Sequence, residues 1–169
     1  MKKFVLLFCI IAQVALSQTA KTTPIRGELK AVLNNFSYTA KQTKGAEKDN
    51  AAILTYEAPD TKDQVEFTIN YLNEIKNGPF PVESLTEEDI ANAKKLSDVP
   101  FYILFYAGDE ARCNPYVPIR ASMQLKGINQ EKKLIAFEFS AEFGCKNQKG
   151  KVVGKTFNLN GSVTTSSYK

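Results

Sequence analysis

Two stretches, VPIRASMQL at residues 117–125 and IAFEFSAEF at residues 135–143, decide the fold class of this chain. In each stretch, apolar side chains alternate with mostly polar ones. Alternation with a period of two is typical of strands that bury one face. The polar segment 129–132 between them predicts a turn. The two stretches therefore predict an antiparallel β-hairpin.

The same alternation recurs on both sides of this hairpin. It predicts further strands at residues 25–33, 36–40, 52–56, 65–71, 101–107, 152–157 and 159–163. Asn34 and Asn35 predict a tight turn between the first two, since asparagine tolerates positive φ. The polar residues 41–50 predict a mobile loop. About eight strands in one domain predict a mainly β protein, either an antiparallel β-sandwich or a small barrel.

One short surface helix is expected at residues 85–96. Ser84 with Glu87 fits a capping box, and Thr86 with Asp89 fits the same motif in another register. Acidic residues fill the first turn and lysines the last, which complements the helix dipole. Its apolar stripe is narrow, so we expect this helix to lie on the surface of the sheet.

The first 17 residues have the pattern of a signal peptide. Lys2 and Lys3 precede an apolar stretch, and the small residues Ala15 and Ser17 predict cleavage before Gln18. The apolar stretch is shorter than the roughly 20 residues that span a bilayer, which argues against a retained anchor. We therefore expect a secreted or periplasmic protein, residues 18–169, with no membrane span after cleavage.

Composition excludes several kinds of chemistry. The chain has no histidine, so it cannot by itself build a Ser-His-Asp triad, a Cys-His pair or a His-ligated zinc site. Its formal net charge of +4 includes two lysines of the predicted signal peptide. The only arginines are Arg26, Arg112 and Arg120, which disfavours a nucleic-acid partner. We expect a protein that is not an enzyme and needs no cofactor.

Two cysteines, Cys113 and Cys145, remain once Cys9 is removed with the signal peptide. In an exported chain such a pair predicts a disulfide, here at the open end of the hairpin. A free thiol pair and a metal site are the alternatives. The lack of histidine and of a Cys-x-x-Cys motif disfavours the metal site.

Carboxylate clusters are the remaining candidates for chemistry. Glu138 and Glu142 share one strand face, but their Cα atoms would lie about 13 Å apart, which is far for a hydrolytic pair. We interpret them as a solvated face. Asp109, Glu110 and Asn114 have oxygen ligands suited to calcium but no EF-hand spacing, so an acidic turn is the better interpretation and no metal site is expected.

An aromatic strip is the preferred binding candidate. Tyr102, Leu104 and Tyr106 lie opposite Phe101, Ile103 and Phe105 on a strand that is apolar on both faces. Such a strand either lies between two layers, with the predicted helix as its cover, or exposes a strip for a sugar, lipid or protein partner.

A basic segment near the C-terminus is a second surface candidate. It contains Lys146, Lys149, Lys151 and Lys155. Contact with a polyanion or an anionic lipid is one interpretation, and a solvated turn is the other.

Two segments carry a resemblance to a known group of proteins. LKAVLNNFSY at residues 29–38 joins a strand, a short turn and an aromatic strand, and GKTF at residues 154–157 falls in the last strand. This order resembles small exported β-rich proteins of unknown function from the Bacteroidota. The resemblance implies an envelope location and a sandwich-like fold, and it implies no activity.

Together these patterns favour an exported, non-enzymatic β protein that binds an unknown protein, glycan or lipid partner, or that serves as a structural component of the envelope. The alternative is a periplasmic inhibitor or immunity-type protein that blocks an enzyme by inserting a loop, such as residues 41–50 or 108–114. A hydrolase that uses carboxylates only is the least favoured hypothesis, because no activated nucleophile is evident.

Overall fold

A computed structural model describes residues 27–108, 113, 115–147 and 150–169. The predicted signal peptide therefore lies outside the described residues. Within them, nine strands form one antiparallel sheet, so the strand count is nine and not eight. The strands are β1 Glu28–Leu33, β2 Phe36–Lys48, β3 Ala51–Glu57, β4 Gln64–Ile69, β5 Val82–Leu85, β6 Phe101–Tyr106, β7 Val117–Asn129, β8 Leu134–Lys146 and β9 Val152–Ser167.

The sheet curls into a barrel that almost closes. Its strand order is β5-β7-β8-β9-β1-β2-β3-β4-β6, and a single bridge between Phe105 and Tyr116 brings β6 back to the start of β7. This one continuous sheet replaces the two separate sheets of the predicted sandwich and agrees with the predicted small barrel. The hairpin of β7 and β8 pairs as expected, with Ser122 opposite Ser140.

Aromatic side chains fill the interior of the barrel. Phe67 of β4 packs edge-on against Phe137 and Phe139 of β8, with ring centroids 4.9 Å apart in both pairs, and against Tyr56 of β3. The rings of β8 thus meet those of β3 and β4 across the barrel, and burial of each ring contributes about 2–3 kcal/mol. The alternation seen in the sequence is therefore the inside and outside of one barrel.

The prediction of a mobile loop at residues 41–50 is wrong. Strand β2 continues to Lys48, and a tight turn at Asp49 and Asn50, both with positive φ, leads into β3. The polarity of this stretch misled the prediction, because one of its polar side chains points inward. Gln42 is only 5% exposed, and its Oε1 accepts hydrogen bonds from the backbone N–H groups of Gly27 and Ser167.

The helix is shorter than predicted, spanning α1 Glu87–Asn92. Thr86 caps it in the second of the two predicted registers: Thr86 N–H donates to Asp89 Oδ2, and Asp89 N–H donates to Thr86 Oγ1. The Thr86 hydroxyl also donates to Asp89 Oδ2, and this hydrogen bond, together with the one from Thr86 N–H, holds the pKa of Asp89 below its ordinary value. Leu85 belongs to β5, where it is only 1% exposed, so the residues before Thr86 are strand and not helix.

The last strand is also more continuous than predicted. Residues 152–157 and 159–163 lie in one strand, β9, which pairs with β8 on one side and with β1 on the other. Over the ranges that the structure describes, no helix has the length and apolar character needed to cross a membrane.

Candidate functional site

The barrel stays open along the seam between β6 and β7. At one end, Phe105 N–H donates to the carbonyl of Tyr116 (3.2 Å), and Tyr116 N–H donates to the carbonyl of Phe105 (2.7 Å). In an antiparallel ladder the next pair of this kind lies two residues further along each strand, and it would join Ile103 to Pro118. Pro118 has no N–H to donate, so the ladder ends there.

Beyond Pro118, the free edge of β7 pairs with β5 instead of β6. Leu85 lies opposite Ala121 and Val82 opposite Gln124. Because β5 occupies this edge, an opening remains between β5 and the ends of β4 and β6. The opening holds a cavity of about 380 Å³, which we call the seam pocket.

The seam pocket has mostly apolar walls. Phe101 and Met123 are core residues, so the floor of the pocket is the core itself. The apolar side chains that line it are Ile69, Ile75, Phe80, Phe101, Met123 and Leu125. They come from β4, β6, β7 and the long connection between β4 and β5.

Asn70 fixes one wall of the pocket. This residue directly follows β4 and is only 7% exposed. Its Nδ2 donates to the carbonyls of Leu96 (2.9 Å) and Val99 (2.7 Å). Both amide hydrogens are therefore used. Its Oδ1 accepts no hydrogen bond from any described residue, and the side chain lines the pocket.

On the opposite wall, two glutamine side chains hold the connection between β4 and β5. Gln124 lies in β7, and Gln130 lies in the turn after it. Gln124 Nε2 donates to the carbonyl of Phe80 (3.1 Å). Gln130 Nε2 donates to the carbonyls of Leu72 (2.5 Å) and Ile75 (3.3 Å). The connection over the pocket contains no strand or helix between residues 70 and 81, so these side-chain amides take the place of ladder hydrogen bonds.

Three charged side chains stand around the pocket: Glu74, Lys76 and Glu83. All three are exposed, and none forms an ion pair with another described residue. Glu83 lies on β5 opposite Met123, on the face that looks into the pocket. The pocket thus combines an apolar interior with a charged rim.

The other end of the seam is closed by covalent and aromatic contacts. The predicted disulfide is confirmed: Cys113 and Cys145 are bonded, with their Cα atoms 5.6 Å apart. Close by in the chain, the ring of Phe105 lies 5.0 Å from Phe157 and 5.9 Å from Phe143. We call this end, where the disulfide and these rings lie, the aromatic end.

One hydroxyl at the aromatic end has no partner. Tyr38 packs beside Phe105, and its buried OH forms no hydrogen bond with any described residue. Burial raises the pKa of Tyr38 well above its ordinary value, and the carboxylate of Asp63 raises it further. The hydroxyl therefore stays protonated at neutral pH.

Comparison of the chain with protein-family models, with curated proteins and with solved structures finds no match. The functional assignment therefore rests on the geometry of the seam pocket and its surroundings.

The aromatic strip predicted from the sequence is largely covered. Tyr102 is only 6% exposed, because the segment after α1 lies over it. Together with Ile90, Ala93, Leu96 and Val99, it lines a small hollow of about 230 Å³. Leu104 and Tyr106 are half-buried on the same outer face. Burial raises the pKa of Tyr102, and burial with the nearby Glu66 raises that of Tyr106.

Glu138 and Glu142, which the sequence predicts on one solvated strand face, form separate ion pairs. Arg120 Nε lies 2.8 Å from Glu142, and Lys126 Nζ lies 2.8 Å from Glu138. Ser140 lies between the two glutamates and donates its hydroxyl to Asn160 Oδ1. Each acid therefore has its own cation on the outer face of the sheet, as expected for a solvated face.

The other sequence candidates lie partly outside the described residues. Asp109, Glu110 and Asn114 are among the residues not described, and so is Lys149. Of the remaining lysines, Lys146 lies 3.8 Å from Glu87, and Lys151 and Lys155 are exposed. Within the described part, no three residues among His, Cys, Asp and Glu are grouped as a metal site would require.

No sequence motif points to the residues of the seam pocket. Asn70, Glu83 and Leu125 come from segments far apart in the chain, so no local motif joins them. One usable signal was Pro118, because a proline inside a strand pattern marks an edge position. An edge position at Pro118, in the first strand of the clearest hairpin, predicts that the sheet opens beside this strand.

Proposed function

We propose that this protein is an exported, non-enzymatic binding protein that holds the apolar part of a ligand in the seam pocket. The observation that carries this proposal is a mostly apolar cavity of about 380 Å³ beside the β6–β7 seam, where the described strands do not pair beyond Pro118. Pockets for small molecules begin at roughly 300 Å³, and a cavity of about 150 Å³ is enough for benzene. The seam pocket has room for one ring system or a short alkyl chain.

The walls of the pocket support binding without chemistry. A binding pocket needs apolar walls held in place before the ligand arrives, and the amides of Asn70, Gln124 and Gln130 hold these walls. An enzyme would in addition need an activated nucleophile or a tuned acid and base. The chain has no histidine. The disulfide and the signal-like segment 1–17 support the export part of the proposal.

Titration with n-octanol, followed by amide shifts in ¹⁵N-labelled protein, tests this proposal. We expect the shifts to concentrate on residues 69–83, 100–101 and 123–125. Leu125→Trp should fill part of the pocket and weaken binding at least about tenfold, a loss of roughly 1.4 kcal/mol. Val32→Trp is the matched control, because Val32 is exposed on the outer face of β1.

Two results would overturn the proposal. The first is the absence of saturable shifts around the seam pocket in the wild-type protein. The second is unchanged octanol affinity in a folded Leu125→Trp protein. If that variant does not fold, Ile75→Phe on the opposite wall provides the same obstruction at a half-buried position of the β4–β5 connection.

A further inference from the structure

Three side chains of the seam pocket, Asn70, Glu74 and Glu83, present hydrogen-bond acceptors, whereas Lys76 and Asn77 bring N–H donors at exposed positions. Asn70 uses both amide hydrogens on Leu96 and Val99, so Oδ1 is the polar atom that its side chain still has free. The two rim glutamates, Glu74 and Glu83, add carboxylates, which accept hydrogen bonds and donate none when ionised. The acceptors of Asn70, Glu74 and Glu83 favour a ligand that donates hydrogen bonds.

The charge of the rim favours a cation over an anion. Glu74 and Glu83 have no ion-pair partner in the described part of the chain, so their charge is available to a ligand. Lys76 is the one cation that lines the pocket. Its ammonium sits on a flexible stem and can remain in water, whereas Glu83 is held on β5.

Aromatic side chains add to this preference. Phe101 forms part of the pocket floor, and Phe80 is half-buried in its wall. The face of an aromatic ring attracts a cation by about 0.5–1 kcal/mol at exposed sites and by more when water is excluded. A protonated amine that enters the pocket would therefore lie near carboxylates, the side chain of Asn70 and two aromatic rings.

We infer that the ligand of the seam pocket is an apolar amine: a protonated amino group at the rim, joined to a short alkyl or aryl body that lies on Phe101, Met123 and Leu125. This inference rests on the proposed binding function and names its ligand class. An alkyl carboxylate of the same length would place its charge against Glu74 and Glu83 and bind more weakly.

Three probes of equal length separate these classes: n-octylamine, n-octanol and sodium octanoate, each titrated at neutral pH and followed by amide shifts. We expect the amine to bind at least about fivefold more tightly than the alcohol, the size of a favourable exposed ion pair, and the carboxylate to bind most weakly. In the Glu74→Gln/Glu83→Gln double variant, the amine and the alcohol should bind with similar affinity.

Glu66→Gln is the matched control, because Glu66 is half-buried on β4 and does not line the pocket. It should leave the preference for the amine unchanged. Equal affinity of wild-type protein for the amine and the alcohol, or tighter binding of octanoate, would overturn the amine inference while the binding function stands. If none of the three probes binds, the binding function itself fails.

Discussion

The two ends of the β6–β7 seam are built from different interactions. At the aromatic end, a backbone bridge, a disulfide and the rings around Phe105 hold the strands together. At the pocket end, no ladder joins β6 to β7, and the side-chain amides of Asn70, Gln124 and Gln130 hold the covering connection. The aromatic end of the seam therefore has closely packed rings, whereas the pocket end has a cavity.

Because of this difference, we expect the aromatic end to contribute mainly to the free energy of unfolding and the pocket end mainly to ligand binding. Dense apolar packing and a covalent link contribute several kcal/mol each, whereas a single neutral hydrogen bond contributes about 1 kcal/mol. We therefore expect substitutions at the aromatic end to lower the free energy of unfolding, and substitutions at the pocket end to change ligand affinity with less effect on stability.

The strongest test removes one ring from each end. Phe105→Ala should lower the free energy of unfolding by about 3–5 kcal/mol, because it leaves a cavity among Tyr38, Tyr116 and Phe157. Phe80→Ala should cost less than about 1.5 kcal/mol, because Phe80 is half-buried in the pocket wall. Urea unfolding measures both.

If Phe105→Ala does not fold, Phe105→Leu leaves a smaller cavity and keeps the comparison measurable. Equal losses for the Phe105 and Phe80 variants would show that the two ends contribute equally to stability, contrary to the expected asymmetry.

The disulfide is the next test of the aromatic end. Replacing both Cys113 and Cys145 by serine should lower the free energy of unfolding by about 3 kcal/mol, because the bond closes a loop with a sequence separation of 32 residues. Reduction of the wild-type protein should have a similar effect on the urea midpoint. The affinity for n-octanol under native conditions should stay the same, since the bond lies at the other end of the seam. A loss of octanol binding in the folded double variant would argue against two independent ends.

Pro118 sets the boundary between the two ends, and its replacement has the smallest expected effect on stability. Pro118→Ala supplies an N–H that can donate to the carbonyl of Ile103 and extend the ladder by one pair. The added hydrogen bond and the greater freedom of the unfolded chain nearly cancel, so we expect stability to change by less than about 1 kcal/mol.

Hydrogen exchange shows whether the ladder has extended. The new amide at position 118 should exchange slowly, whereas the new amide of the control Pro81→Ala, at an exposed position before β5, should exchange rapidly. Rapid exchange at position 118 would mean that the missing N–H is not what ends the ladder.

Two hairpin turns show which features the local sequence predicts and which it does not. Asn34-Asn35 and Asp49-Asn50 are both tight turns with positive φ. The first was predicted, because alternating apolar residues flank it. The second falls within the predicted loop at residues 41–50, because β2 is polar near its end. The sequence gives no sign that the polar side chain of Gln42 is buried. Turn chemistry is local, whereas the burial of Gln42 depends on Gly27 and Ser167, far away in the chain.

The short strand β5 was missed for a related reason. Leu85 was assigned to the helix, since Ser84 and Glu87 fit a capping box as well as Thr86 and Asp89 do. The pairing of Leu85 with Ala121 favours the later start, and a four-residue strand has too little periodicity to reveal that partner in advance.

The sequence by itself determined the mainly β character of the protein, the hairpin of β7 and β8, the disulfide and the lack of histidine chemistry. These properties follow from alternation, spacing and composition, which act within a segment or between neighbouring segments. Only the tertiary structure decided that the sheet curls into a nearly closed barrel, that Tyr102 is covered, and that a pocket opens beside Pro118. The pocket depends on which strand pairs with the free edge of β7, and the local sequence patterns of β5 and β6 do not show that β6 reaches only its start while β5 pairs further along.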